Sequence, residues 1–333
     1  AAPARVEAGQ PEERADYESA VVEQVLSDST EKDPAADNGY RGEQLLLVTV
    51  KSGDYQGQQM QVYNYVGPLY GGPLHAGDRA TILISSYSDG TVNATVYEFD
   101  RLIPLAIVVA LFIAAAVIVG GRTGAKSLVA LAVTLMCLFG VLLPALMKGA
   151  NTLLMTFIVC AYVAVVSLTI VGGVQKKSVC AMLGAVAGTA LALLFGLLAQ
   201  ALTRVDGLRI EDVEPLLQLR QTGTPIGLRG LLVGGIIISA LGAVMDVTMG
   251  IASSLAEVHA ANPQLSRREL FRSGMNIGRD MVGTMTNTLI LAFLGSGFTL
   301  ILYLYSLGLS FRQLMSSAYV SMEVVSGVAR SGG

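Results

Sequence analysis

LIPLAIVVALFIAAAVIVGG, residues 102–121, contains no charged residue. Its length carries a helix at ~1.5 Å per residue across a hydrocarbon core of ~30 Å. Further segments of similar length and texture follow at 127–147, 152–173, 178–203, 229–257 and 281–307. Six membrane-spanning helices are predicted, and the fold class is a multi-pass, all-α membrane bundle. Within the fourth, Gly184 and Gly188 form a GxxxG pair, a pattern that lets two helices approach closely in lipid.

Outward from these segments the composition splits in two. The whole chain is 14% charged and 53% apolar, with a mean hydropathy of +0.58, where a soluble domain carries roughly 25% charged residues. Residues 1–100 hold sixteen acids against six bases, whereas 101–333 hold nine acids against sixteen bases. The front is acidic and water-soluble, the remainder apolar with basic connections, and no nucleic-acid partner is expected. Cys137, Cys160 and Cys180 all lie in apolar runs, so they read as small buried hydrophobes and not as a disulfide framework.

Lysine and arginine set the orientation. Arg122 and Lys126, then Lys176 and Lys177, then Arg267, Arg268, Arg272 and Arg279 occupy alternate connections, which are expected to be cytoplasmic. The other connections hold Lys148 alone, and residues 204–228, where acids balance the arginines. The front domain is therefore expected to be extracytoplasmic. In the acidic connection, IEDVEPLLQLRQ (210–221) suits a short interfacial helix with Leu216, Leu217 and Leu219 towards the membrane.

Residues 1–43, rich in Glu, Asp, Gly and Pro, read as a flexible acidic region in which only Tyr17 to Leu26 suits a strand or short helix. From 44 to 100 the texture is β-branched and tyrosine-rich, with runs at 45–50, 59–66, 80–85 and 91–99 separated by glycine turns such as Asp89-Gly90. A small β-barrel or sandwich is predicted. Residues 101–333 form the transmembrane domain.

Polar groups enter the apolar part chiefly in the last two segments. Ser239, Gly242, Asp246, Gly250, Ser253 and Glu257 recur every three or four residues and share one helix face. Asp246 lies about 11 residues, or ~16 Å, from the cytoplasmic end, where an exposed carboxylate costs at least ~2.5 kcal/mol. It must meet a partner, an aqueous cavity or a proton. The next segment carries a second polar stripe, Asn276, Asp280, Thr284, Asn287 and Thr288, and antiparallel packing would bring the Asn287 amide near Asp246. Oxygen ligands from two helices suit a proton or a small cation, although Asp–Asn or Asp–Thr bonds that merely fix packing give the same pattern. Between the segments, Ser266-Arg-Arg-Glu269 is a capping box, expected to start a short helix over 267–273 that Gly274 and Gly278 break.

Enzyme motifs are missing. GGRTGAKS (120–127) departs from a P-loop because Ala125 stands where glycine must precede the lysine. HExxH is absent, and the two histidines, His75 and His259, are far apart in the chain. The paired Asp246 and Asp280 lack the glycine-flanked pattern of an intramembrane aspartyl protease. No catalytic residue, cofactor or identified metal is expected.

The stretch ALGAVMDVTMGIASSLAEVHAANPQLSRRELFRSGMNIGRDMVGTMTNTLILAFLG (240–295) resembles the signature region of the YibE/F-like family of bacterial integral membrane proteins. SGDYQGQQMQVYN (52–64) and HAGDRATILI (75–84) are similar to that family's extracytoplasmic domain. The resemblance implies a permease of the bacterial inner (plasma) membrane, and further helices before Ala1 and after Gly333. The expected site is Asp246 as ligand or proton carrier, Asn287 and Thr284 completing it, Asp280 and Asn276 at its cytoplasmic mouth, and Ser253 and Glu257 on the Asp246 face. The expected partners are the lipid bilayer and a transported proton or cation. The alternative is a non-transporting envelope sensor or scaffold whose outer domain binds an envelope protein or a second copy.

Overall fold

A computed structural model describes residues 14–34, 39–87, 92–203, 214–221, 223, 225, 230–316 and 320. The chain divides into two compact units, Ala1–Phe112 and Ile113–Gly333. Asp89-Gly90 and residues 204–213 lie outside the described residues.

The first unit is a barrel of β1 (Arg14–Asp28), β3 (Tyr40–Val50), β4 (Gln59–Val66), β5 (Arg79–Ser86) and β6 (Val92–Phe99), with a two-residue β2 (Glu31–Lys32) beside β3. Strand alternation drives it: Leu46, Val48 and Val50 on β3, Val62 on β4, and Ala80, Ile82 and Ile84 on β5 all turn inward, each large one worth ~1.5–3 kcal/mol when buried. β1 closes the barrel, pairing with β5 along Arg14–Val21 and with β3 along Ala20–Asp28. Register shifts at Val22/Gln24 and Val25/Ser27 let it bend from one neighbour to the other. β4 and β6 run parallel, Tyr63 opposite Thr95, a Greek-key arrangement of the kind the OB-fold uses. The strand-rich unit thus starts at Arg14, ahead of residue 44. Only Ala20 and Val22 of β1 are fully buried, too few for alternation to show through its acidic residues.

One polar cluster is locked inside this barrel. Gln44, 1% exposed, donates from Nε2 to Asp28 Oδ2 (2.9 Å) and the Leu74 carbonyl (3.3 Å), and accepts at Oε1 from Asn64 Nδ2 and Leu74 N (both 2.9 Å). Asn64 also donates to the Gly72 carbonyl at 3.3 Å. All four hydrogen-bonding positions of the Gln44 amide are used, and the segment after β4 is tied to the barrel by them. The Thr30 hydroxyl, then Gln44, then the Thr30 backbone N–H hold the Asp28 carboxyl below its ordinary range.

The helices are α1 (Leu102–Cys137), which runs on through a π-helical turn (Leu138–Leu142) into α2 (Leu143–Met147), then α3 (Thr152–Gly172), α4 (Lys176–Thr203), α5 (Glu214–Gln221), α6 (Leu231–Ala261), α7 (Arg267–Ser296), α8 (Phe298–Ser306) and α9 (Phe311–Ser316). Among the described residues four are long and apolar enough to cross a membrane: Leu102–Met147, Thr152–Gly172, Lys176–Thr203 and Leu231–Ala261. The first, 46 residues, would be ~69 Å long if straight, over twice the ~30 Å core. It breaks at Gly121, whose φ of 54° and ψ of −136° are not helical. A Cβ on Gly124 would collide with the Ala116 carbonyl, although eight residues of one helix span ~12 Å. The chain folds back there into two legs. Pro144 explains the π turn further on: it has no N–H and crowds the carbonyl four residues earlier, and Leu143 N bonds instead to Leu138 O.

α3, α4 and α6 pack into the core of this unit around Val163, Ala164, Ala181, Ala185, Ile237 and Val244. The GxxxG pair lies in that seam. A Cβ on Gly184 would stand 3.1 Å from Thr248 Cγ2, and one on Gly188 only 2.6 Å from Val244 Cγ1. Asn151 caps α3, its Oδ1 accepting from Leu154 N at 3.1 Å. Ser266 and Glu269 form their reciprocal cap on α7, yet the helix runs unbroken through Gly274 and Gly278. Those glycines are used for packing: Leu255 and Ile251 of α6 occupy the space where their Cβ atoms would be.

Candidate functional site

Asp246 sits at mid-length on α6, on the side turned towards α3 and the second leg of α1. It borders a cleft of about 400 Å³ that those three helices share, together with Ser127 and Thr134 of α1, Ser167 of α3, and Leu241, Gly242 and Met245 of its own helix. Thr134 Oγ1 lies 3.3 Å from Ser167 Oγ and donates to the Ala130 carbonyl at 2.9 Å. Ser167 is buried, while the Asp246 side chain is exposed to the cleft. One carboxylate and three hydroxyls therefore share a wall otherwise made of Leu, Ile, Val, Met, Ala and Gly. These are hard oxygen donors, suited to a proton or a small cation.

The structure groups the sequence-derived residues differently from the expected pair of helices. α7 meets α6 through small and flexible side chains, Gly274 against Leu255, Gly278 against Ile251 and Met281 against Gly250. Asn276, Asp280, Thr284 and Asn287 are exposed; at ~100° per residue, Asn276, Asp280 and Asn287 lie on the far side of α7 from that seam and Thr284 on its flank. The Thr284 hydroxyl donates to its own helix, to the carbonyls of Asp280 (3.1 Å) and Met281 (3.0 Å), as Thr288 does to Thr284 (3.0 Å). Ser253 is half-buried and Glu257 exposed towards the end of α6. Between α6 and α7 lies a separate groove of about 510 Å³ lined by Val247, Ile251, Leu255, Phe271, Met275 and Val282. Among the described residues no group of three or more His, Cys, Asp or Glu side chains assembles.

Sequence reading passed over Ser127, Thr134 and Ser167. Each stands in an apolar run, a visible signal, but only the reversal at Gly121 brings the α1 hydroxyls to α3 and α6.

The model of the YibE/F-like family matches residues 108–333, which takes in every residue of the cleft and leaves the likeness of the front domain outside the matched range. No curated protein matches the chain, and no solved structure does. With apolar helices of membrane-crossing length and a family match over more than half its residues, the chain belongs to the YibE/F-like family and is a membrane protein.

Proposed function

We propose that this protein is a permease for a proton or a small cation in the bacterial inner membrane, with Asp246 as the group that binds or carries the ion. The cleft carries the proposal: a carboxylate at mid-length in an apolar helix is costly unless it is functional or paired, and here it faces an open space lined by Ser127, Thr134 and Ser167. In this reading the two legs of α1, α3, α4, α6 and residues 281–307 are six crossings, and the eight basic residues of alternate connections face the cytoplasm. The barrel then stands outside. Thr134 and Ser167 act as oxygen ligands or relay the proton.

Flux in vesicles tests this. Purified full-length protein is reconstituted with an entrapped pH indicator, and separately with a sodium or potassium tracer. Wild type is expected to dissipate at least one imposed gradient, Asp246→Asn to lose that flux, and Ser167→Ala with Thr134→Val to slow it. Undiminished flux in a well-folded Asp246→Asn protein sinks the site. A wild type that moves none of the three ions favours the scaffold reading.

A further inference from the structure

α1 leaves the barrel from a definable end. β4 and β6 are parallel, so the segment leaving Val66 and the chain leaving Phe99 emerge from the same end. α1 begins three residues after Phe99, at Leu102. The loop following Val66 is therefore at the end of the barrel from which α1 departs, and a Cβ on Gly71 would stand 3.8 Å from Glu98 Oε1. The β3–β4 turn, residues 51–58, is at the opposite end.

At the tip of that loop Leu69 is 87% exposed and Tyr70 58% exposed. They are not loosely held. Gly67 N donates to Gly71 O, and both Tyr70 N and Gly71 N donate to Gly67 O, all at 3.0 Å, which closes the loop on itself. Gln44 and Asn64 fasten its base through Leu74 and Gly72. The Tyr70 ring lies 6.3 Å from that of Tyr65, which stacks on Tyr63 at 6.5 Å. Arg41 borders the same groove, with Pro68, Leu69 and Tyr70. Of the carboxylates around this end, Asp33 pairs with Arg41 and Glu98 with Arg101, and Asp100 accepts from Leu102 N and Ser19, while Glu31 and Glu43, opposite Arg41 and Tyr65, are exposed.

We infer that the loop 67–72 docks on the lipid bilayer, with Leu69 inserted at the boundary of headgroups and acyl chains, and Tyr70 and Tyr65 at headgroup depth. A rigidly displayed leucine is a liability in water, yet it is favoured beside a membrane, where tyrosine's apolar body and polar tip also fit. The inference rests on α1 entering the bilayer at Leu102 and is independent of the ion site and of which side the barrel occupies.

The chain has no tryptophan, so one introduced residue reports alone. Full-length Leu69→Trp is reconstituted in phosphatidylcholine–phosphatidylglycerol vesicles and compared with Gln56→Trp on the opposite turn. The Leu69→Trp emission is expected to lie to the blue of the Gln56→Trp emission. It is also expected to lose most of its intensity when the acyl chains are brominated near the headgroup, while the Gln56→Trp emission is unchanged. Matching spectra for the two positions overturn the inference. A blue shift without quenching by brominated lipid places the loop against protein and overturns it equally. Tyr70→Trp repeats the measurement should Leu69→Trp fail to accumulate.

Discussion

The barrel and helix α4 solve burial with different residues. In the barrel the large side chains go in, Leu46, Ile82 and Ile84 among them, and the tyrosines Tyr17, Tyr63, Tyr65, Tyr70 and Tyr97 stay out. In the helical unit Leu, Ile, Val and Phe cover the outside, while α4 turns Ala181, Ala185, Ala192 and Gly196 inward. Water explains the first arrangement, since transfer of apolar surface drives it. Lipid offers no such drive between helices, so close approach of backbones decides which residues are inside. In the barrel hydrophobicity predicts burial. On α4 small size does, while α3 and α6 fill the seam with Val163, Ile236, Ile237 and Val244.

Adding bulk to the glycine seam is the most severe way to break this contrast. Gly188→Leu forces a side chain to where Val244 already stands at 2.6 Å. Overpacking of this kind costs ~1–3 kcal/mol or more, and the expected loss is at the top of that range because both neighbours are helix-borne. Gly235, on α6, has nothing within 4 Å of its Cβ position, so Gly235→Leu is expected to stay within ~0.5 kcal/mol of wild type. Thermal unfolding of both proteins in the same detergent measures the difference. Equal melting temperatures would mean that size does not govern the helical interior.

The barrel's counterpart is polar. Gln44→Leu keeps bulk but leaves Asn64 Nδ2 and Leu74 N without their shared acceptor, at ~1–3 kcal/mol for each unsatisfied group. A loss of about 2 kcal/mol is expected, together with faster amide exchange at Leu74. Asp28, which Gln44 also contacts, sharpens the comparison by pH. Its folded value is lowered, so its contribution is complete above the ordinary carboxylate value of ~3.9 and is lost as pH falls through the folded value. Wild type is expected to lose melting temperature more steeply than Asp28→Asn as the pH falls below about 4. The effect is small, because Asp28 is exposed.

These patterns differed in how openly the sequence displayed them. Uncharged runs such as 102–121 announce a membrane helix by length alone, and β3 and β5 show their alternation directly. β1 was obscured because its buried pair, Ala20 and Val22, is flanked by acidic residues on a strand that serves two neighbours. Asp246 stood out by its cost in lipid. Its surroundings did not, since a polar stripe on α7 has the same spacing whether it faces α6 or turns away, and the glycines at 274 and 278 that settle the matter read equally well as helix breakers. Tertiary reversal at Gly121, invisible to periodicity, selected Ser127 and Thr134 as the neighbours instead.

The smallest structural change is expected at the proposed ion-binding residue. Asp246 is exposed to its cleft, so Asp246→Asn, which preserves shape and removes charge, has little packing to disturb. Its stability should stay within ~0.5 kcal/mol of wild type. Asp246→Ala removes the polar group altogether, and its cost should not exceed the ~0.6–1.7 kcal/mol typical of hydrogen bonds between membrane helices. A residue kept for packing would behave in the reverse order, with Asn silent in flux and Ala damaging chiefly through unfolding. The deciding measurement is thus a pair of numbers from one preparation, melting temperature and initial flux, for both variants. Loss of flux without loss of stability in Asp246→Asn separates an ion site from a structural contact, and coincident loss of both in Asp246→Ala alone would assign Asp246 to packing.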